Sequence, residues 1–132
     1  MNKETEMSFL SDYIVSSRRE RLAFELFGQK RRDGIGRFCH NADELIRKTT
    51  VIRAGADISP QELAEYIAAS GEKSCYLISF YEDIDGTIVH ASDVTDIIIG
   101  RGMPSIAVFG SFAVIETEQY KGPAVKYILR RI

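Results

Sequence analysis

The sequence predicts an α/β fold: a small mixed sheet of about four to five strands, with a parallel core, a C-terminal antiparallel hairpin and helices on both faces. Three observations predict it. Beyond residue 48, strand and helix patterns alternate, which favours parallel strands joined by right-handed crossovers. The stretch Gly102–Glu118, GMPSIAVFGSFAVIETE, is the strongest run of strand formers, and Gly110-Ser111 divides it as a two-residue turn would, with a positive φ at the glycine. Within it Ile106 and Val108 point one way and Ala107 and Phe109 the other, so both faces are apolar and need cover. A two-layer α+β arrangement is the alternative.

The elements follow in order. Residues 1–7 are polar and read as a frayed end. From Ser8 a helix is expected, with Phe9, Leu10, Tyr13 and Ile14 on one side. Ser17 and Glu20 have capping-box spacing, so a second helix is expected from Arg18, ending at Gly28. Ile35, Phe38, Cys39, Ala42, Leu45 and Ile46 recur at helical spacing and predict a third helix over 35–47, which Asn41 with Glu44 can restart midway. Thr49–Arg53 is short and β-branched, hence a strand. Ser59-Pro60-Gln61-Glu62 is the clearest local signal: Ser59 caps, Pro60 takes the first helical position, and Gly71 ends the helix. Ser74–Tyr81 is a strand apolar on both faces, and the acidic turn Glu82–Gly86 follows. Ser92 is expected to cap a short helix through Ile99. After the hairpin, whose second strand runs toward an edge, residues 123–132 fit either a helix or a strand.

At 132 residues the chain fits one domain, with 8–48 expected as a helical segment packed on a 49–132 core. Its 45% apolar and 27% charged residues exclude a disordered chain, and no apolar run approaches membrane-spanning length. A cytoplasmic location is expected, without a membrane partner. Cys39 and Cys75 are too few for a disulfide framework and read as free thiols. Charge is segregated: residues 18–53 hold ten Lys or Arg against five Asp or Glu, and residues 54–132 hold six against eleven. Such halves can face different partners or each other.

Four features carry candidate chemistry. Arg37, His40, Glu44 and Arg47 fall on one polar helix face, a candidate partner-binding surface. Arg53, Glu82, Asp83, Asp85 and His90 are an alternative set, since titratable groups near strand ends can line a pocket. Arg18, Arg19, Arg21, Lys30, Arg31, Arg32 and Arg37 could contact a nucleic-acid backbone, although Glu20, Glu25 and Asp33 interleave them. Cys39-His40 invites a thiol-nucleophile reading, but neighbours on a helix diverge by about 100°. Asp83-Ile84-Asp85-Gly86 begins like a calcium loop, yet its twelfth position is Val94, not glutamate. No phosphate-loop, nucleophile-elbow or zinc motif is present. The balance points to a small non-catalytic module that binds a protein partner, or itself, through charged faces, with no cofactor or metal. A small-molecule or metal-dependent enzyme and a nucleic-acid binder are the alternatives.

Overall fold

The computed structural model describes residues 1–119 and 122–132. Its helices are α1 (Lys3–Tyr13), α2 (Ser16–Leu26), α3 (Arg31–Gly36), α4 (Ala42–Leu45), α5 (Pro60–Ser70) and α6 (Val94–Ile98). Its strands are β1 (Val51–Gly55), β2 (Ser74–Ser79), β3 (Ile88–His90), β4 (Ser105–Val108), β5 (Phe112–Glu116) and β6 (Lys126–Arg130). The strands form one six-stranded sheet in the order β1-β6-β5-β4-β2-β3, and every neighbouring pair is antiparallel. The expected parallel core is therefore corrected, and the fold is a mixed α+β arrangement.

The correction has a specific cause. Counting the antiparallel pairings along the sheet, β1 and β2 point the same way, and so do β3 and β4. The crossovers through α5 and α6 thus do join co-directional strands. What the alternating pattern cannot reveal is that other strands lie between them: β6, β5 and β4 inside the first crossover, and β2 inside the second. Residues 126–130 settle as a strand beside β5, so β5 is an interior strand rather than one running to an edge.

Both faces of the sheet are covered. Ile78, Ile106, Ala113, Ile115 and Leu129 pack against α1–α4 through Phe9, Leu10, Leu22, Phe38 and Leu45. Leu77, Ala107, Val114 and Ile128 face the opposite way, onto Leu63 and Ile67 of α5 and Val94 and Ile98 of α6. This is strand alternation with a separate hydrophobic core on each side. The outer edges are guarded. β1 carries an irregularity between Val51 and Arg53 together with a charged Arg53, and β3 is only three residues long. Among the described residues no helix is long and apolar enough to cross a membrane.

Several local expectations change. The first helix begins at Lys3, not Ser8, because the Asn2 side chain accepts the Thr5 N–H at 3.0 Å and caps it. The second begins at Ser16, after Val15, and the Ser17–Glu20 box makes no capping bond. Gly28 is not left-handed, since the chain turns directly into α3. The third helix is broken: α3 stops at Gly36, a turn follows, and α4 restarts after Asn41. Residues 48–50 form a 3-10 turn ahead of β1, and residues 91–93 another ahead of α6, where Ser92 makes no cap bond. The hairpin turn does sit at Gly110-Ser111, closed by the Phe109 N–H on the Phe112 carbonyl at 2.9 Å. Gly110, however, does not take a positive φ. Glu72 reaches in and accepts the Gly110 and Ser111 N–H groups and the Ser111 hydroxyl. A side chain at Gly110 would start 3.1 Å from Glu72 Oε1, so the glycine serves a close approach. α5 forms as expected, with Ser59 Oγ accepting the Glu62 N–H at 3.0 Å, Pro60 in the first turn, and Gly71 at φ +76°.

Arg31 fastens the N-terminal helices to the sheet. Its Nη1 and Nη2 donate to Glu6 at 2.6 and 2.8 Å, and its Nε and Nη2 donate to Asp85 at 2.7 and 2.9 Å. Nη1 also donates to the Leu26 carbonyl at 3.0 Å. These five bonds match the five N–H groups of a guanidinium. Glu6 is 0% exposed and also accepts from the Tyr76 hydroxyl at 2.5 Å. Burial works against the charge on Arg31, but the bonds to Asp85 and Glu6 outweigh it and hold the guanidinium protonated. Arg31→Ala should therefore cost about 3–5 kcal/mol, the range for orphaning buried charges. Arg31→Lys should recover little, because an ammonium cannot fork onto two carboxylates. Urea unfolding checks both, and an Arg31→Ala midpoint equal to wild type would overturn the assignment.

Candidate functional site

The helix expected over 35–47 is interrupted, and Arg37, His40, Glu44 and Arg47 each meet a different partner. Arg37 donates to Glu25 through Nε at 2.6 Å and Nη2 at 2.7 Å. That pairing holds the buried Glu25 carboxyl below the ordinary carboxylate range, against the opposing effect of burial. His40 Nε2 lies 3.5 Å from Glu118, and Glu44 meets Arg18 at 3.8 Å instead of pairing with His40. Arg47 donates to the Asp12 carbonyl at 3.2 Å.

The alternative set does not converge either. Arg53 pairs with Glu62 and with Asp57 on edge strand β1. Glu82 pairs with Arg32, Asp83 with Arg101, and Asp85 with Arg31. β1 lies four strand spacings from β2, roughly 19 Å. His90 pairs with Ser74 at the start of β2, whereas Glu82–Asp85 follow its other end, roughly 17 Å away. Among the described residues no three His, Cys, Asp or Glu gather as a metal ion would require.

Several members of the basic cluster are engaged within the fold. Arg19 donates to the Leu10 and Ile14 carbonyls, Arg21 lies beside Glu25, and Arg32 lies over the Phe80 ring. Arg31 is the buried clamp. Cys39 and His40 sit in a turn rather than a helix, and His40 Nε2 faces Glu118. Burial, and then Glu118, push the Cys39 thiol up to about 12, and burial does the same to Cys75. Both remain thiols rather than thiolates near neutral pH.

A different pair is brought together where no local motif announced it. Glu116 ends β5 and Lys126 begins β6, and the two are directly opposed in the antiparallel register. Alternation sets Glu116 on the face of Phe112 and Val114, and Lys126 on the face of Ile128. Their Cβ atoms therefore lie roughly 5 Å apart on the α5/α6 side of the sheet. Glu116 is 2% exposed and Lys126 is 4% exposed. They nevertheless make no direct bond. Glu116 Oε1 accepts the Gly100 N–H at 3.1 Å, and Lys126 Nζ donates to the Ala124 carbonyl at 3.3 Å. Glu116 Oε2 is buried and has no partner among the described residues.

Both side chains line a cleft of about 260 Å³. The β1–α5 link supplies one wall through Ile58 and Pro60, the end of α6 supplies Ile99 and Gly100, and Pro123 and Ala124 close the third side. The cleft opens at the carboxyl ends of β1 and β5, which point the same way. Burial raises the Glu116 carboxyl above its ordinary range, and the Gly100 N–H and Lys126 only partly offset it. The geometry can accept one hydrogen bond at Oε2 and donate others from Nζ inside an apolar rim. The chain matches no protein family, no curated protein and no solved structure.

Local spacing finds neither residue: Glu116 falls where the second hairpin strand reads as running toward an edge, and Lys126 in the 123–132 stretch that fits either a helix or a strand. The signal that finds them is period two. Counting from Phe112 and from Ile128 puts each charge on a buried face. Since the folded state raises the carboxyl's proton affinity, its favourable contribution is present below about pH 4 and lost as pH rises through the raised value. Glu116→Gln should accordingly unfold later than wild type at pH 7, by about 1 kcal/mol, and the gain should vanish below about pH 4. Thermal melts across that pH range test it, and a variant less stable than wild type at pH 7 would contradict it.

Proposed function

We propose that this protein is a small-molecule-binding domain whose site is the cleft between β5, β6 and the start of α5. One observation carries the reading: a buried carboxylate oxygen without a partner among the described residues and a buried ammonium with donors to spare, both lining one cleft. Unsatisfied buried polar groups are rare in folded proteins and costly to keep. An apolar cleft with a few convergent polar groups is the usual form of a ligand site.

The expectation of a module that recognises a protein through charged faces finds less support. Arg37 pairs with Glu25, Glu44 with Arg18, and Arg47 donates to the Asp12 carbonyl, so these groups are engaged within the chain. The strand edges are short or charged, which disfavours self-pairing. The raised proton affinity of Glu116 favours a second reading, in which the cleft also moves a proton on what it binds. Chemical change of a bound compound, absent with Glu116→Gln, would distinguish it from binding alone.

A thermal-shift screen against a library of small polar metabolites tests the proposal. Compounds that stabilise the wild type should lose at least tenfold in affinity with Lys126→Met. Hits that stabilise the variant equally would place the site elsewhere and overturn it.

A further inference from the structure

Resting on the ligand-site reading above, we infer that the cleft selects a small uncharged ligand carrying a cis-amide edge, meaning an N–H beside a C=O, as in lactams, cyclic imides and the uracil, thymine and guanine bases. Three features point to this chemistry. First, Glu116 Oε2 is an acceptor without a partner among the described residues, and Lys126 Nζ uses one of its donors on the Ala124 carbonyl, leaving two. The site thus presents one acceptor and one donor from directly opposed positions in the β5–β6 register, too far apart to bond each other, so that a ligand edge can bridge them. A cis-amide edge presents the complementary pair on adjacent atoms, so both bonds form at once and each is assisted by a full charge on the protein.

Second, the two buried protein charges cancel, and Asp57, which also lines the cleft, is exposed and paired with Arg53. An anionic ligand would sit beside Glu116 and a cationic one beside Lys126, and each would meet like charge where water is scarce. A zwitterion matches both signs, but it must shed the hydration of two full charges against walls built from Ile58, Ile99, Pro123 and Ala124. A neutral amide leaves only ordinary polar groups to dehydrate. Third, a cleft of about 260 Å³ has room for one flat ring and little more. Glu116 is locked from behind by the Gly100 N–H on Oε1, which leaves Oε2 for the occupant.

The test uses the full chain and simple probes. Amide ¹H–¹⁵N spectra are recorded with uracil, with 2-pyrrolidinone, with 1,3-dimethyluracil, and with glycine, acetate and methylammonium, each at millimolar concentration. The inference expects uracil or 2-pyrrolidinone to shift the resonances of Gly100, Glu116 and Lys126. Uracil alone would point to nucleobases as the source, and both to cyclic amides in general. Dimethyluracil keeps the carbonyls but has no N–H, so it should cause no shift. Lys126→Met should abolish the uracil response, and Glu116→Gln, which keeps the shape, should weaken it about tenfold. If glycine, acetate or methylammonium shifts those resonances and the cis-amides do not, the inference is overturned while the ligand site stands. Equal responses to uracil and dimethyluracil would also overturn it. If no probe of any class perturbs Gly100, Glu116 or Lys126, both the inference and the site reading fail.

Discussion

Arg31 is the contact on which the arrangement of layers depends. A buried guanidinium is tolerable only when its donors are met, and here one side chain joins α1 through Glu6, the end of α2 through Leu26, and the β2–β3 turn through Asp85. Tyr76 extends the same network from the middle of β2 and accepts the Asn2 N–H at 3.0 Å. Burial, then the Glu6 carboxylate, push the Tyr76 hydroxyl up to about 12, so it stays a donor. The N-terminal helices have short apolar faces that could slide across a flat sheet. The clamp fixes where they sit, and Phe9, Leu10 and Tyr13 then bury against one defined set of strand residues.

Two buried charge clusters thus meet opposite fates. Around Arg31 each N–H finds an acceptor. Around Glu116 one oxygen finds none, and the facing ammonium turns to a backbone carbonyl. The difference follows from cover. Arg31 lies beneath α1–α3 and the β2–β3 turn, while α5 and α6 on the other side leave the carboxyl ends of β1 and β5 open. A hydrophobic pair at 116 and 126 would fill that end more cheaply, and a closed ion pair would at least satisfy both groups. The chain has neither, and a site kept at some cost in stability is what ligand binding commonly leaves in a fold.

Much of this architecture was legible where several local signals agreed. Ser59, Pro60 and Gly71 define α5 within the helix's own sequence, and the SCYLIS run of β2 needs no tertiary information. What stayed hidden depends on distant partners. The pairing of Glu6, Arg31 and Asp85 spans 25 and 54 residues, and no spacing rule connects them. The strand order turns on residues 126–130, whose Tyr127, Leu129 and Ile128 satisfy helical and alternating periods equally. Without that placement the alternating pattern reads as a parallel sheet. Glu116 and Lys126 were misread for the same reason: each charge looks solvent-facing until the strands on either side are known.

The central claim is that Glu116 is a buried carboxylate with one oxygen left without a partner among the described residues. The most direct measurement is a ¹³C NMR pH titration of its side-chain carboxyl in the folded protein. A midpoint clearly above the ordinary carboxylate range, shared by none of the exposed glutamates, is the predicted result. A midpoint within or below that range would mean that the group is solvated or already paired, and would contradict the account of the cleft.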